Sequence, residues 1–412
     1  MQHFKVWQNA WKDGYDEPLD LTCPDDWELE IHELGGDNLP PLTIEQMRER
    51  ICNPIGMEPI RELAAKGHQA VIVFDDLSRG TPVKDIAEIV LEELLAGGME
   101  KKNIRFICAI GNHGALNRVD MVRKLGENIV RNYRVYNHNA FGNLVQIGED
   151  KEGVPVLINR EFYQCDVRIG IGSVTPHPMN GFGGGAKMLF PGLAGIETTL
   201  GNHHRREFTQ VGNQKCNFGF RQDIEALARM AGPFFKIDAV INSKLDIVDL
   251  YAGDVIEEYY EAIKSAAVVD ACPLGEPKDV VFVNANAKYN EANIAVNLAR
   301  EELKEGGDIV LINHCEIGAA VHYLFGAFGT NCGGPMFTPY EKRKQVTYGR
   351  VIYYNPWPDP FSLFFYDQPR TVTFATTWDE VLELLAEKHG PGTTAAVQPD
   401  GTILYHPELL TV

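Results

Sequence analysis

The stretch AVIVFDDLSRGTPVKDIAEIVLEELLAGG, residues 70–98, decides the fold. Its first five residues are apolar and mostly β-branched, too short a run for a helix, and read as a buried strand. A polar turn containing Gly80 and Pro82 follows, and residues 83–96 then place apolar side chains at helical spacing. Strand, loop and amphipathic helix in that order form the first half of a βαβ unit, which calls for a parallel sheet covered by helices. The alternation continues on both sides: strand-like runs lie at 104–110, 134–136, 154–159 and 167–171, and helical patterns at 118–125, 224–231 and 255–267. Before residue 69 the pattern is softer, with one clear helix start at 43–52, where Thr43 serves as N-cap ahead of Glu45 and Gln46.

Two prolines and a glycine interrupt the periodicity at 271–278, marking a domain boundary. Beyond it a second α/β unit is expected, with strands at 280–284 and 309–313, helices at 289–304 and 378–388, and a hairpin at 395–405 turning around Pro399-Asp400-Gly401. The expected architecture is therefore two α/β domains with mainly parallel sheets and an active-site cleft between them. The first covers 1–272 and carries the chemistry; the second covers 278–412 and closes the cleft, with the last twenty or so residues returning to the first.

A chain of 412 residues is long enough for two cores. Its 38 basic against 57 acidic residues leave a net charge of −19, which argues against binding nucleic acid or an anionic membrane through phosphates. Nowhere do about 18 apolar residues run together, and Met1-Gln2-His3-Phe4-Lys5 has no apolar signal core, so a cytoplasmic protein is expected. The eight cysteines are scattered without a Cys-x-x-Cys pair and read as reduced, packed thiols.

In an open α/β sheet, ligands bind beyond the carboxyl ends of the strands. After the strand at 70–74 come Asp75, Asp76, Ser78, Arg79 and Thr81, with Thr81 expected to cap the next helix and Pro82 to open it, a start suited to an anion. The strands at 104–110 and 167–171 each lead to a histidine, His113 and His177. A single histidine is more often structural than catalytic. Two of them leaving one sheet edge beside an Asp-Arg loop mark a crevice where perturbed groups gather.

The densest segment is Gly181-Phe182-Gly183-Gly184-Gly185-Ala186-Lys187, four glycines in seven residues ahead of a lysine. Such glycines let a ligand approach the backbone and expose amide donors. The spacing is neither a Walker loop nor a Rossmann fingerprint. Lys187 reads either as a solvated cation at a helix start or as a covalent attachment point of the Schiff-base type. Further on, His203 and His204 stand side by side, a weak metal signal because helical neighbours point about 100° apart.

Together these motifs resemble the nickel-dependent lactate racemase family. The resemblance covers residues 75–204 and rests on Asp76-Leu77-Ser78-Arg79, Gly111-Asn112-His113, Pro176-His177, the run from Gly181 to Lys187, Pro191-Gly192, and His203. It implies a nickel-pincer nucleotide, a pyridinium mononucleotide with two thio groups, joined to Lys187 by a thioamide and holding nickel through sulfur, carbon and sulfur. His203 matches the family's protein ligand to nickel, and imidazole with a soft pincer suits a square-planar centre. His113 and His177 match the acid/base pair that handles the hydroxyl proton while hydride passes to the cofactor. Arg79 matches the group that holds the substrate carboxylate or polarises the hydroxyl-bearing carbon. Asp76 and Ser78 face the cofactor, Gly183, Gly184 and Gly185 floor it, and Thr81 to Val83 offer a place for its phosphate. The resemblance further implies separate cofactor-maturation proteins as partners.

Two departures bear on the substrate. Gly114 stands where many family members have arginine, and Lys288, Tyr289, Asn290 and Glu291 occupy a region where the lactate enzymes carry other polar groups. Lactate, malate and a sugar acid are therefore all candidates. Two competing readings are a metal-free nucleotide- or phosphate-binding module using the glycine loop, and a zinc hydrolase built from His177, His203 or His204, for which compact ligand spacing is absent.

Overall fold

The computed structural model of the chain describes residues 1–12, 15–204, 209–215, 219–324, 349–357, 359–360, 362 and 371–410, with only the backbone of His204. It divides into two compact units: residues 38–242 with 246–269, and residues 1–37 with 243–245 and 270–412. The expected division at 271–278 lies near the observed one, but the chain does not begin as the expected continuous domain. Glu28–Ile31 is an edge strand paired in parallel with Thr394–Gln398, which ties the opening residues to the C-terminal unit.

The unit holding 38–242 is built on a six-stranded sheet in the order Ile247–Asp254, Phe235–Ile241, Val167–Ser173, Ala70–Phe74, Ile104–Cys108, Arg134–Asn137. All pairings are parallel except the one between Phe235–Ile241 and Ile247–Asp254. Ala70–Phe74 and Ile104–Cys108 are buried along their full length, as expected of central strands covered on both faces. Helix Val83–Ala96 buries Ile86, Ile89, Val90 and Leu94, the apolar stripe read from the sequence. Helix Ile44–Cys52 starts at Thr43 with a complete capping box to Gln46. The run at 154–159 is not a strand of this sheet: Pro155–Asn159 pairs antiparallel with Leu144–Glu149 in a separate ribbon. A β-branched run specifies extended backbone but not its partner, and here the neighbouring strand in sequence supplies it.

The other unit carries an all-parallel sheet in the order Val372–Ala375, Arg350–Tyr354, Leu303–Ile312, Lys278–Asn284, Thr394–Gln398, Glu28–Ile31. A hairpin of Gln2–Val6 and Leu19–Cys23 brings Phe4 against Phe282, with ring centroids 5.1 Å apart. Two expectations are corrected. The helix foreseen over 289–304 breaks into Tyr289–Glu291, Asn293–Ala299 and Arg300–Glu302, and Leu303 already pairs with Lys278. The ladder then shifts so that Asp308 faces Val280, past the left-handed Gly306. The hairpin foreseen at 395–405 does not form. Thr394–Gln398 runs parallel to its neighbours, and the turn after it is held by Asp400, which accepts the amides of Ala287 and Thr402. Tyr405 then bridges Ala271, so the chain end stays with its own unit. Among the described residues no helix is long and apolar enough to cross a membrane.

Asp308 ties this sheet to the segment after the helix Trp378–Ala386. Its fully buried carboxylate takes Arg350 Nε at 2.9 Å, Lys388 Nζ at 2.8 Å and His389 Nε2 at 3.1 Å. Burial would push the carboxyl up, but hydrogen bonds from His389, Lys388 and Arg350 bring it down to about 2. An unfolded aspartate titrates near 3.9, so the native form holds fewer protons between these values and stability falls as pH drops through that window. The expected contribution, about 2 kcal/mol, is complete above roughly pH 5. Asp308→Asn should flatten the acid limb of thermal stability between about pH 4 and pH 2; an unchanged limb would refute the assignment.

Candidate active site

Every residue singled out from the sequence as a site residue lies in the unit holding 38–242. The loop after Ala70–Phe74 folds on its own carboxylates. Asp76 Oδ1 accepts the Ser78 amide at 2.9 Å and the Ser78 hydroxyl at 2.5 Å, while Oδ2 faces His113 Nδ1 at 2.6 Å. Burial would raise the Asp76 carboxyl, but the charge and hydrogen bond of His113, with Arg79 and Ser78 beside it, hold it well below the usual carboxylate range. Asp76 is thus an acceptor at neutral pH, so His113 carries a proton on Nδ1 and, in its neutral form, holds the lone pair on Nε2. Arg79 Nη1 donates to the Ser78 carbonyl at 2.7 Å and contacts its hydroxyl at 2.9 Å, which sets the guanidinium next to the Asp76–His113 pair.

Asp76 and Ser78, expected to face a cofactor, therefore turn toward His113. Thr81 also departs from expectation: Pro82 occupies the N-cap, and Thr81 is buried with its hydroxyl 2.5 Å from Asp75 Oδ2 and 2.8 Å from Ser173 Oγ. The neighbouring Asp75 supplies the acceptor that ties Thr81 down and draws Lys124 Nζ to 2.6 Å. An ion pair this deep is costly to break on one side only.

His177 lies in a two-rung hairpin, Pro176–His177 against Gly181–Phe182. Its Nδ1 accepts the backbone amide of Met179 at 3.1 Å, and its Nε2 lies 2.8 Å from Lys187 Nζ. A backbone amide only donates, so Nδ1 holds the lone pair and Nε2 the proton. In their neutral forms the two histidines are opposite tautomers, His113 offering an acceptor and His177 a donor at Nε2.

The glycine loop is shaped by packing. Gly184 sits at φ 84°, ψ −172°, a region open essentially to glycine alone, and a Cβ there would come within 2.6 Å of Val174 Cγ2 and 2.9 Å of Asp238 Oδ2. Gly185 (φ 54°) has no room for a Cβ beside Arg221 and Tyr259, whose guanidinium and ring stack at 3.5 Å. The amides expected to cradle a ligand are spent inside the protein: Gly183 donates to the Thr175 carbonyl at 2.7 Å and Gly185 to Asp238 Oδ2 at 2.6 Å. Asp238 is itself paired with Lys236 at 2.5 Å, both side chains fully buried. This support was missed in the sequence, although its signal is visible there: Lys236 and Asp238 are charges inside the apolar run FKIDAVI.

His203 is buried on helix Ile196–His204, its ring edge-on to Phe220 at 5.4 Å. Its Nδ1 donates to the Thr199 carbonyl at 3.0 Å, which in the neutral ring puts the lone pair on Nε2. Three buried amides next to the motif residues contain polar atoms with no hydrogen-bond partner: Asn112 Oδ1 beside His113, Asn180 Oδ1 and Nδ2 in the His177 hairpin, and Asn202 Nδ2 beside His203. Buried polar atoms of this kind are costly unless a bound group meets them. The donor set therefore fits a polar cofactor held by Lys187 with a metal on His203. The His204 side chain and Arg205-Arg206 lie outside the described residues.

Residues 15–215 match the family model described as the lactate racemase N-terminal domain. The chain thus carries a lactate racemase N-terminal domain. Its class of enzyme is the isomerases. A lactate racemase of Lactiplantibacillus plantarum is 25% identical over 385 residues, covering 87% of this chain and 89% of that one. A lactate racemase of Thermoanaerobacterium thermosaccharolyticum is 26% identical over 286 residues, 66% of each chain. Among solved structures, the lactate racemase apoprotein of the same organism superposes with a TM-score of 0.74 at 19% identity, covering 99% of this chain and 100% of that one. A protein from Thermotoga maritima gives 0.64 at 17% identity, over 89% and 98% of the two chains. The family shares the mixed α/β architecture with mainly parallel sheets.

Proposed function

We propose that the chain racemises or epimerises a 2-hydroxy acid with a nickel-pincer nucleotide carried on Lys187. The observation that carries this reading is the pair of histidines, His113 held at Nδ1 by Asp76 and His177 at Nδ1 by the Met179 amide, on the same unit as Lys187 and His203. When bound, the group supplies an acceptor and donor of hydride at the substrate carbon. The residues do the rest. His113, oriented by Asp76, takes the hydroxyl proton of one stereoisomer on Nε2; His177, as imidazolium, returns a proton from Nε2 on the opposite side and is left neutral, and the roles reverse for the other stereoisomer. Asp76 stabilises the imidazolium that forms, and Arg79 holds the carboxylate with its planar fork. His203 would hold nickel through Nε2, and Asn112, Asn180 and Asn202 would meet the polar parts of the nucleotide. Lactate, malate and a sugar acid remain the substrate candidates, with maturation proteins as partners for loading. The cysteines described, mostly buried and all free thiols, suit the reducing cytoplasm.

A metal-free phosphate-binding module is less well supported, because the Gly183 and Gly185 amides it would use are bonded to Thr175 and Asp238. Intact-protein mass spectrometry with elemental analysis, on chain co-produced with a cofactor-synthesis system, separates the two. A nucleotide-sized adduct with nickel is expected. Neither adduct nor nickel, with synthesis verified on a known acceptor, would remove the proposal.

Asp76→Asn tests the orientation of His113. Loss of the anionic acceptor should lower kcat by about 10- to 100-fold while KM changes little, since only the base is affected. A change confined to KM would instead place Asp76 on the substrate.

A further inference from the structure

We infer that His177 has a second task before any turnover: it holds Lys187 as the neutral amine that covalent loading requires. This rests on the reading of Lys187 as the attachment point. The argument is one of hydrogen-bond parity. The Met179 amide points at His177 Nδ1 at 3.1 Å, and a backbone N–H cannot exchange roles. Neutral imidazole has one lone pair and one N–H, so with Nδ1 accepting, Nε2 must donate. Nε2 faces Lys187 Nζ at 2.8 Å. An ammonium has three donors and no acceptor, and set against Nε2–H it would leave two protons pointing at each other. Only the neutral amine, with its lone pair, satisfies the contact. In the unloaded chain imidazolium at His177 is disfavoured on the same ground, because a proton on Nδ1 would meet the Met179 N–H; that contact is given up when His177 carries the extra proton in turnover.

The local fold enforces the arrangement from both ends. The hairpin Pro176–His177 with Gly181–Phe182 fixes the turn that presents the Met179 amide. Gly184 at φ 84° opens the short helix Gly185–Met188, whose first amide is held by the buried Asp238, so Lys187 leaves a backbone that is pinned. Lys187 is half-buried, which further disfavours a charge there.

The amine form matters because an acyl carbon is attacked by a nitrogen lone pair, and ammonium has none. Condensing the amine with a thiocarboxylic acid forms one C–N bond and breaks the carboxyl C–O bond. Water leaves with the oxygen, one proton from the nitrogen and one from the thiol, and the product is a thioamide with no change in oxidation state. A residue that keeps the nitrogen unprotonated at neutral pH removes the one step that ordinary lysines need first. His177 thus acts as a positioning residue for loading, apart from its place in the proton transfers.

The test uses the full chain without cofactor and the small reagent acetic anhydride, with acetylation of each lysine read by peptide mass spectrometry across pH. Lys102, whose side chain is 73% exposed, serves as the internal reference. As the pH is lowered, Lys187 should keep its reactivity further down than Lys102 does. At pH 7 its retained fraction should exceed that of Lys102 by about tenfold or more. His177→Phe should abolish this advantage. Met179→Pro, which deletes the amide and leaves the imidazole, should abolish it as well and separates the tautomer effect from loss of the ring. Lys187 titrating with Lys102 in the unaltered chain, or an advantage that survives both substitutions, would overturn the inference. Because no cofactor is present, failure here leaves the attachment reading standing, and absence of an adduct leaves the amine state standing.

Discussion

His113→Ala in the cofactor-loaded enzyme lowers racemisation by about 10³-fold or more, the expected loss when a positioned general base is removed. The size follows from the geometry. Asp76 Oδ2 at 2.6 Å and Ser78 Oγ at 3.3 Å from Nδ1 hold the imidazole in one tautomer, so its Nε2 is a base already oriented when substrate arrives. Water can replace the group but not its placement. The readout is the rate of appearance of the second stereoisomer, followed in both directions by chiral chromatography with nickel content held equal. A loss of less than about tenfold would move His113 out of the proton transfer.

Gly184→Ala is expected to destabilise the unit by about 3 kcal/mol and to prevent loading at Lys187. The backbone at φ 84°, ψ −172° is strained for any residue with a Cβ, and the added methyl meets Val174 and the Asp238 carboxylate that holds Gly185. Relief requires the loop to swing, and the loop carries Lys187. Thermal unfolding and intact mass measure the two effects separately. A variant that keeps full stability and a full adduct would show that the loop tolerates a side chain there.

The mainly parallel sheet of the unit holding 38–242 was legible because Ala70–Phe74 and Ile104–Cys108 are buried on both faces and so are apolar but for Arg105. Their carboxyl ends led directly to Asp76 and His113, which the structure brings into contact. Pairing partners were less legible. Pro155–Asn159 looks like a sheet strand but joins a ribbon, and Glu28–Ile31, exposed along much of its length, lacks the buried pattern that would mark it as the edge of the other unit's sheet. In the glycine loop, residue type alone gave the need for close approach but not what approaches. Gly184 and Gly185 make room for Val174, Asp238, Arg221 and Tyr259, which come from distant parts of the chain. The contact of His113 with Asp76 was beyond sequence for the same reason, and that of His177 depends on a local turn whose geometry residue type does not give.

The most direct test of the account is to give the loaded, nickel-verified enzyme a single stereoisomer of lactate, malate or a sugar acid in deuterium oxide and to analyse the product by chiral chromatography and proton NMR. The account predicts that for at least one of these acids the other stereoisomer accumulates with protium still on the hydroxyl-bearing carbon, because that hydrogen travels as hydride and only the hydroxyl proton passes through His113 and His177. Deuterium on that carbon would show that the histidines abstract the carbon-bound proton instead, and no second stereoisomer from any of the acids would contradict the proposed reaction.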